Sequence, residues 1–126
     1  MPDSDTRILL VEDNEVNRTV AVRMLERLGY AVETAENGQD ALAAHDRRAF
    51  DAILMDCQMP EMDGFECASA IRSADSPGRT TPIIALTANT SNEDRDRCLA
   101  SGMNAFLTKP IDIEQLKATL ETWITV

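Results

Sequence analysis

Five short apolar runs alternate along this chain with stretches in which apolar residues recur every three or four positions, and that alternation constrains the fold more than any other feature. The runs are Arg7–Val11 (RILLV), Tyr30–Ala35 (YAVETA), Ala52–Met55 (AILM), Pro82–Thr87 (PIIALT) and Ala105–Thr108 (AFLT). After the first run, Val16, Val20, Met24, Leu25 and Leu28 fall on one helical face, and Gly29 ends that helix. The Asn37-Gly38 turn leads into an alanine-rich helix over Gln39–Arg47, and Phe65, Ala68 and Ile71 mark a third helix. Ser91 with Asp94 three residues on has the form of a capping box for a fourth helix, which stops at Gly102. Asp112 caps a fifth, with Ile113, Leu116, Leu120 and Ile124 facing inward.

Runs that are apolar at every position, as Ala52–Met55 is, suit strands buried on both faces. Five of them alternating with helices predict an α/β fold, a parallel five-stranded sheet with helices on both faces. At 126 residues the flavodoxin-like order 2-1-3-4-5 is a common solution, with ligands outside the carboxyl ends of the strands, at the switch between strands one and three. The 44% hydrophobic content fits one core. Residues 1–6 read as a disordered acidic tail without the features of a signal peptide, and 7–126 as a single domain. No run approaches the ~18 apolar residues of a membrane span, so membrane contact is not expected. A net charge of −10 disfavours a nucleic-acid surface, since affinity for a polyanion comes from neutralising its phosphates. Cys57, Cys67 and Cys98 are odd in number and form no C-x-x-C pair, which fits free thiols in the cytoplasm, and His45, the single histidine, reads as a packed or surface residue.

The residues that follow the strands carry the chemistry. Strand one ends in Glu12-Asp13, strand three in Asp56, strand four in Thr87, and strand five, after Thr108, in Lys109; strand two offers nothing comparable. The expected topology gathers three carboxylates, a hydroxyl and an ammonium on one rim. Carboxylates ~4 Å apart repel by several kcal/mol near a protein surface, and a proton or a cation must relieve this. Few, hard oxygen ligands with room for water suit Mg²⁺. A metal site with a lysine opposite points to phosphoryl chemistry, with Asp56 as nucleophile and with Thr87 and Lys109 on the phosphoryl oxygens.

The stretches "VEDN" (Val11–Asn14), "MDCQMPEMDGFE" (Met55–Glu66), "ALTA" (Ala85–Ala88) and "LTKP" (Leu107–Pro110), in this order and spacing, resemble the receiver domain of two-component response regulators. The resemblance runs from Arg7 to Ile124. Together with "VEDNEVNRTVAVRMLERLGY", these stretches are most similar to receivers attached to hybrid sensor histidine kinases. It implies that Asp56 accepts a phosphoryl group from the phosphohistidine of a histidine kinase, of a histidine phosphotransfer protein or of the kinase domains of its own parent chain. Asp13, Asp56 and the backbone carbonyl of Gln58 would bind Mg²⁺ (or Mn²⁺ in its place), with Glu12 reaching the ion through water. Thr87, Lys109 and the Ala88 backbone N–H would hold the phosphoryl oxygens, and Lys109–Pro110 would be cis. Phe106 matches the switch aromatic that turns inward when Thr87 moves. Gln58 and Asn89 would flank the attacking water and tune the lifetime of the acyl phosphate. The switched surface would comprise the fourth helix, the fifth strand and the fifth helix. Ending at Val126, the sequence is expected to be an excised or a stand-alone receiver.

Three rival functions fit less well. Aspartate-nucleophile phosphatases carry a second aspartate two residues after the nucleophile, and Gln58 stands there. A flavin or nucleotide binder needs a phosphate-cradling loop after strand one, where "EDNEVN" is acidic. A receiver reduced to a docking module would lack part of the functional set, which is complete in this sequence. The expected role is therefore a phosphorylated signalling module and not a turnover enzyme.

Overall fold

The computed structural model describes residues 6–47, 50–56, 69–70, 81–87, 96, 99–100, 102–108 and 111–124, the side chains of 45–47 excepted. The His45 side chain, the three cysteines, the Lys109–Pro110 bond and most of the third and fourth expected helices lie outside the described residues. Residues 69–70, 96 and 99–100 are helical, as those two helices require.

The elements are β1 (Arg7–Val11), α1 (Glu15–Arg27), β2 (Ala31–Ala35), α2 (Gly38–Arg47), β3 (Ala52–Asp56), β4 (Ile83–Thr87), β5 (Ala105–Thr108) and α3 (Ile113–Trp123), the last being the fifth helix expected from the sequence. The strands form one sheet in the order β2-β1-β3-β4-β5, every pair parallel. β4 starts at Ile83 because Pro82 has no N–H to give the ladder, although its carbonyl still accepts from the Ile53 N–H at 2.9 Å.

Side chains alternate across the sheet and build a core on each face. Leu9, Val11, Ile53, Met55, Ile83 and Ala85 pack with Ala41 and Ala44 of α2 and with Phe50. Ile8, Leu10, Leu54, Ile84 and Leu86 pack on the other face with Ala21 and Leu25 of α1 and Leu116 and Leu120 of α3. Leu25, Leu116 and Leu120 are all fully buried, and each contributes about 1.5–3 kcal/mol of transfer free energy.

The inward face of α1 is rotated from the one expected. Ala21 and Leu25 are buried and Val22, Met24 and Leu28 pack against them, whereas Val16 and Val20 are 70% and 47% exposed. A row spaced i, i+4, i+8 drifts around a helix of 3.6 residues per turn, so Val16 and Val20 do not stay above the sheet with Leu25.

Local signals set the helix ends. The side chains of Asn14, Asn37 and Asp112 accept from the N–H groups of Asn17 (2.9 Å), Asp40 (2.8 Å) and Glu114 (2.8 Å). Gly29 (φ 95°) and Gly102 (φ 92°) take the left-handed conformation that lets the chain leave a helix sharply. At the amino ends of the strands, Asp51 and Arg7 exchange two hydrogen bonds of 2.8 Å, and Asn104 and Ile83 exchange two more at 2.9 and 2.8 Å. Asp51 thus ties the sheet at the pole opposite the acidic rim.

Candidate functional site

The carboxyl tips of the three central strands bring four of the predicted residues, Glu12, Asp13, Asp56 and Thr87, to one end of the sheet. Val11 is aligned with Met55, so Glu12 and Asp56 are the next positions on adjacent strands. Asp56 is aligned with Leu86, which leaves Thr87 one step beyond it on β4. Glu12 is 2% exposed, Asp56 3% and Thr87 6%, an unusual depth for ionisable and polar side chains. Asp13 faces solvent. One carboxylate oxygen from each of Glu12, Asp13 and Asp56 lies within 4.8 Å of the other two. Asp56, the last residue of β3, is held by a strand buried at every position.

The turn after β1 is fixed by polar contacts that begin at α1. The Asn14 N–H donates to Oε1 of Glu12 at 3.2 Å, while the Asn14 side chain caps α1. Arg18 donates from Nη1 to the Glu12 carbonyl at 3.1 Å. The Glu12 N–H donates to the Ala35 carbonyl at 3.0 Å, extending the β1–β2 ladder past the strand end. Asn14 and Arg18 were not among the residues expected at the site. Asn14 carried a signal, a cap-forming side chain directly before the helix; Arg18 carried none, since its reach back over six positions depends on the fold. Strand two, expected to bring nothing, is followed by Glu36, whose Oε1 lies 3.8 Å from Nη2 of Arg18.

Thr87 and Phe106 lie on the same sheet face, since Ala85 is aligned with Phe106 and Thr87 with Thr108. Phe106 is half-buried against the core that also holds Ala85 and Met103. Gln58, Ala88, Asn89 and Lys109 lie outside the described residues. Among the described residues no helix is long and apolar enough to cross a membrane.

The donor set fits a divalent cation. Three hard oxygens converge from one exposed and two buried acids, which leaves one side of the cluster open to water, as Mg²⁺ requires. Converging carboxylates with no cation or proton among them would only repel one another.

Comparison with known proteins gives the same picture. The family model of the response regulator receiver domain matches residues 8–121. The hybrid signal transduction protein dokA of Dictyostelium discoideum is 45% identical over 117 residues, 93% of this chain and 7% of that protein. Across the curated relatives it matches first, the chain spans between 6% and 15% of their length. Among solved structures, the receiver domain of sensor histidine kinase PA1611 from Pseudomonas aeruginosa PAO1, with a magnesium ion coordinated in its active site cleft, superposes with a TM-score of 0.88 at 47% identity, covering 94% of this chain and 97% of that one. The receiver domain of Ssk1 from Saccharomyces cerevisiae, solved with the histidine phosphotransfer protein Ypd1, is in a structure that matches with a TM-score of 0.86 at 29% identity, covering 98% of this chain and 92% of that one. With its sheet order, its acidic tip and these likenesses, the chain belongs to the response regulator receiver domain family.

Proposed function

We propose that the chain is the phosphoacceptor of a two-component phosphorelay and that Asp56 takes the phosphoryl group from a phosphohistidine. The observation that carries this reading is the meeting of Glu12, Asp13 and Asp56 within 4.8 Å at the carboxyl end of the sheet. One oxygen of Asp56 attacks phosphorus, the P–N bond breaks, and its electron pair leaves with the imidazole. The product is an acyl phosphate on Asp56. Glu12, Asp13, Asp56 and the Gln58 carbonyl are assigned to hold Mg²⁺ or Mn²⁺, which when bound neutralises charge on the phosphoryl oxygens. The Thr87 hydroxyl, the Ala88 N–H and the Lys109 ammonium are assigned to the same oxygens. The buried, strand-held placement of Asp56 supports the reading, because a nucleophile in this role must be presented in a fixed line.

Gln58 and Asn89 flank the attacking water and set the lifetime of the acyl phosphate. Gln58 cannot deprotonate that water, so the phosphorylated state lasts long enough to signal. The shared face of Thr87 and Phe106 supports a switch in which movement of Thr87 is read by the aromatic ring. It is passed to the surface formed by the segment after β4, by β5 and by α3. The phosphodonor is a histidine kinase or a histidine phosphotransfer protein, in line with the Ypd1–Ssk1 complex, or the kinase domains of a hybrid parent in the cytoplasm.

Incubation with acetyl phosphate, followed by intact mass measurement, tests this reading. The wild type gains one phosphoryl group only with Mg²⁺, and Asp56→Asn gains none. A gain in both proteins, or in neither, overturns it.

A further inference from the structure

Arg18 lies in the first turns of α1, and its guanidinium returns to the tip of β1, where Nη1 donates to the Glu12 carbonyl at 3.1 Å. Its Nη2 lies 3.8 Å from Oε1 of Glu36, the residue that follows β2. The Arg18 side chain is only 19% exposed, against 71% for Glu36. One planar guanidinium thus joins the tips of two strands, a span for which its fork of donors is suited and a single ammonium is not.

Glu12 is held through its N–H by Ala35, through its carboxylate by the Asn14 N–H and through its carbonyl by Arg18. Of these three ties, the Arg18 tie comes from a side chain. It acts on the peptide unit that joins Glu12 to Asp13, and the orientation of that unit sets where both carboxylates start from.

We infer that Arg18 is a positioning residue for the acidic cluster. By holding the Glu12–Asp13 peptide from α1, it keeps the two carboxylates converged before a divalent cation arrives. This rests on the reading of the cluster as a Mg²⁺ site and adds to it a residue outside the cluster. A purely electrostatic Arg18 would act with the opposite sign. As a nearby positive charge it would compete with the ion, and its loss would tighten binding. As a positioning residue its loss weakens binding, because the ligands must then be ordered by the ion itself.

Mg²⁺ titration of the wild type, Arg18→Met, Arg18→Lys and Glu36→Gln, followed by amide shifts in NMR spectra, separates the two. Thermal unfolding in chelator reports any loss of fold independently. Arg18→Met should bind Mg²⁺ about tenfold more weakly, the lower end of the loss seen when a partner of a metal ligand is removed. Arg18→Lys, which keeps one donor for the carbonyl, should recover part of that loss. Glu36→Gln should stay within about twofold, since an exposed pair contributes little. Arg18→Met binding as tightly as the wild type, or more tightly, overturns the inference and leaves the Mg²⁺ reading standing. A wild type that does not bind Mg²⁺ removes both. Should Arg18→Met fail to fold, Arg18→Lys decides: binding equal to the wild type with the charge kept and the fork lost overturns the two-strand tie.

Discussion

Replacing Asp56 by asparagine keeps the shape of the side chain and removes one of three converging charges. At the 4.8 Å limit within which the Glu12, Asp13 and Asp56 oxygens lie, a pair of unit charges repels by about 3.5 kcal/mol at an effective dielectric of roughly 20. Glu12 is buried, so its repulsion of Asp56 is little screened. Asp13 is exposed, and water and salt cut its share to below about 1 kcal/mol. Asp56 has further contacts whose loss offsets part of the gain. The net expectation in chelator is that Asp56→Asn is more stable than the wild type by about 2 kcal/mol, a rise in Tm of roughly 8 °C for a chain of this size. Mg²⁺ reverses the trend. At one hundred times its Kd it adds about 2.7 kcal/mol to the wild type, and much less to a variant lacking a ligand charge. Thermal melts followed by far-UV circular dichroism, in chelator and in Mg²⁺, measure both quantities. An asparagine variant no more stable than the wild type in chelator, or stabilised equally by Mg²⁺, would refute the reasoning.

Three further outcomes follow from the packing and the backbone. Leu54, fully buried at the centre of β3, should cost about 2–5 kcal/mol on replacement by alanine, read as a lower urea midpoint. Gly29→Ala places a Cβ at φ 95° and should cost about 1 kcal/mol or more in the same assay; an unchanged midpoint would mean that the helix end relaxes. Burial, and secondarily the Glu121 carboxylate, push the Tyr30 hydroxyl above its ordinary value of 10.0. The unfolded chain then ionises first, so this contribution to stability is intact below about pH 10 and is lost above it. Between about pH 9 and pH 11 the urea midpoint should fall less for Tyr30→Phe than for the wild type; parallel declines would exclude Tyr30 as the cause.

β3 and β4 were legible because burial on both faces keeps them apolar up to their last residues, Asp56 and Thr87. Once the parallel order is inferred, the residues after each strand must share a rim, and Glu12, Asp13, Asp56 and Thr87 could be grouped without coordinates. Gly29 and Asp112 were legible for a local reason, since a left-handed exit and a side-chain cap need nothing beyond their own neighbours. What was not legible depends on the angle at which a helix meets the sheet. Val16 and Val20 satisfy a helical period, yet the docked orientation of α1 turns them outward and brings Ala21 inward. The same orientation carries Arg18 to Glu12 and Glu36, which no spacing in the sequence announces.

The paired hydrogen bonds between Asp51 and Arg7, and between Asn104 and Ile83, lie at the pole of the sheet opposite the acids. Mechanically, β1, β3 and β4 are then beams clamped at their roots, with the ends that carry the polar side chains at the acidic rim. A push applied at such a tip bends the beam most where it is applied and least at the clamp. Strain raised at Asp56 or Thr87 should therefore reach the neighbouring tips sideways before it travels down the sheet.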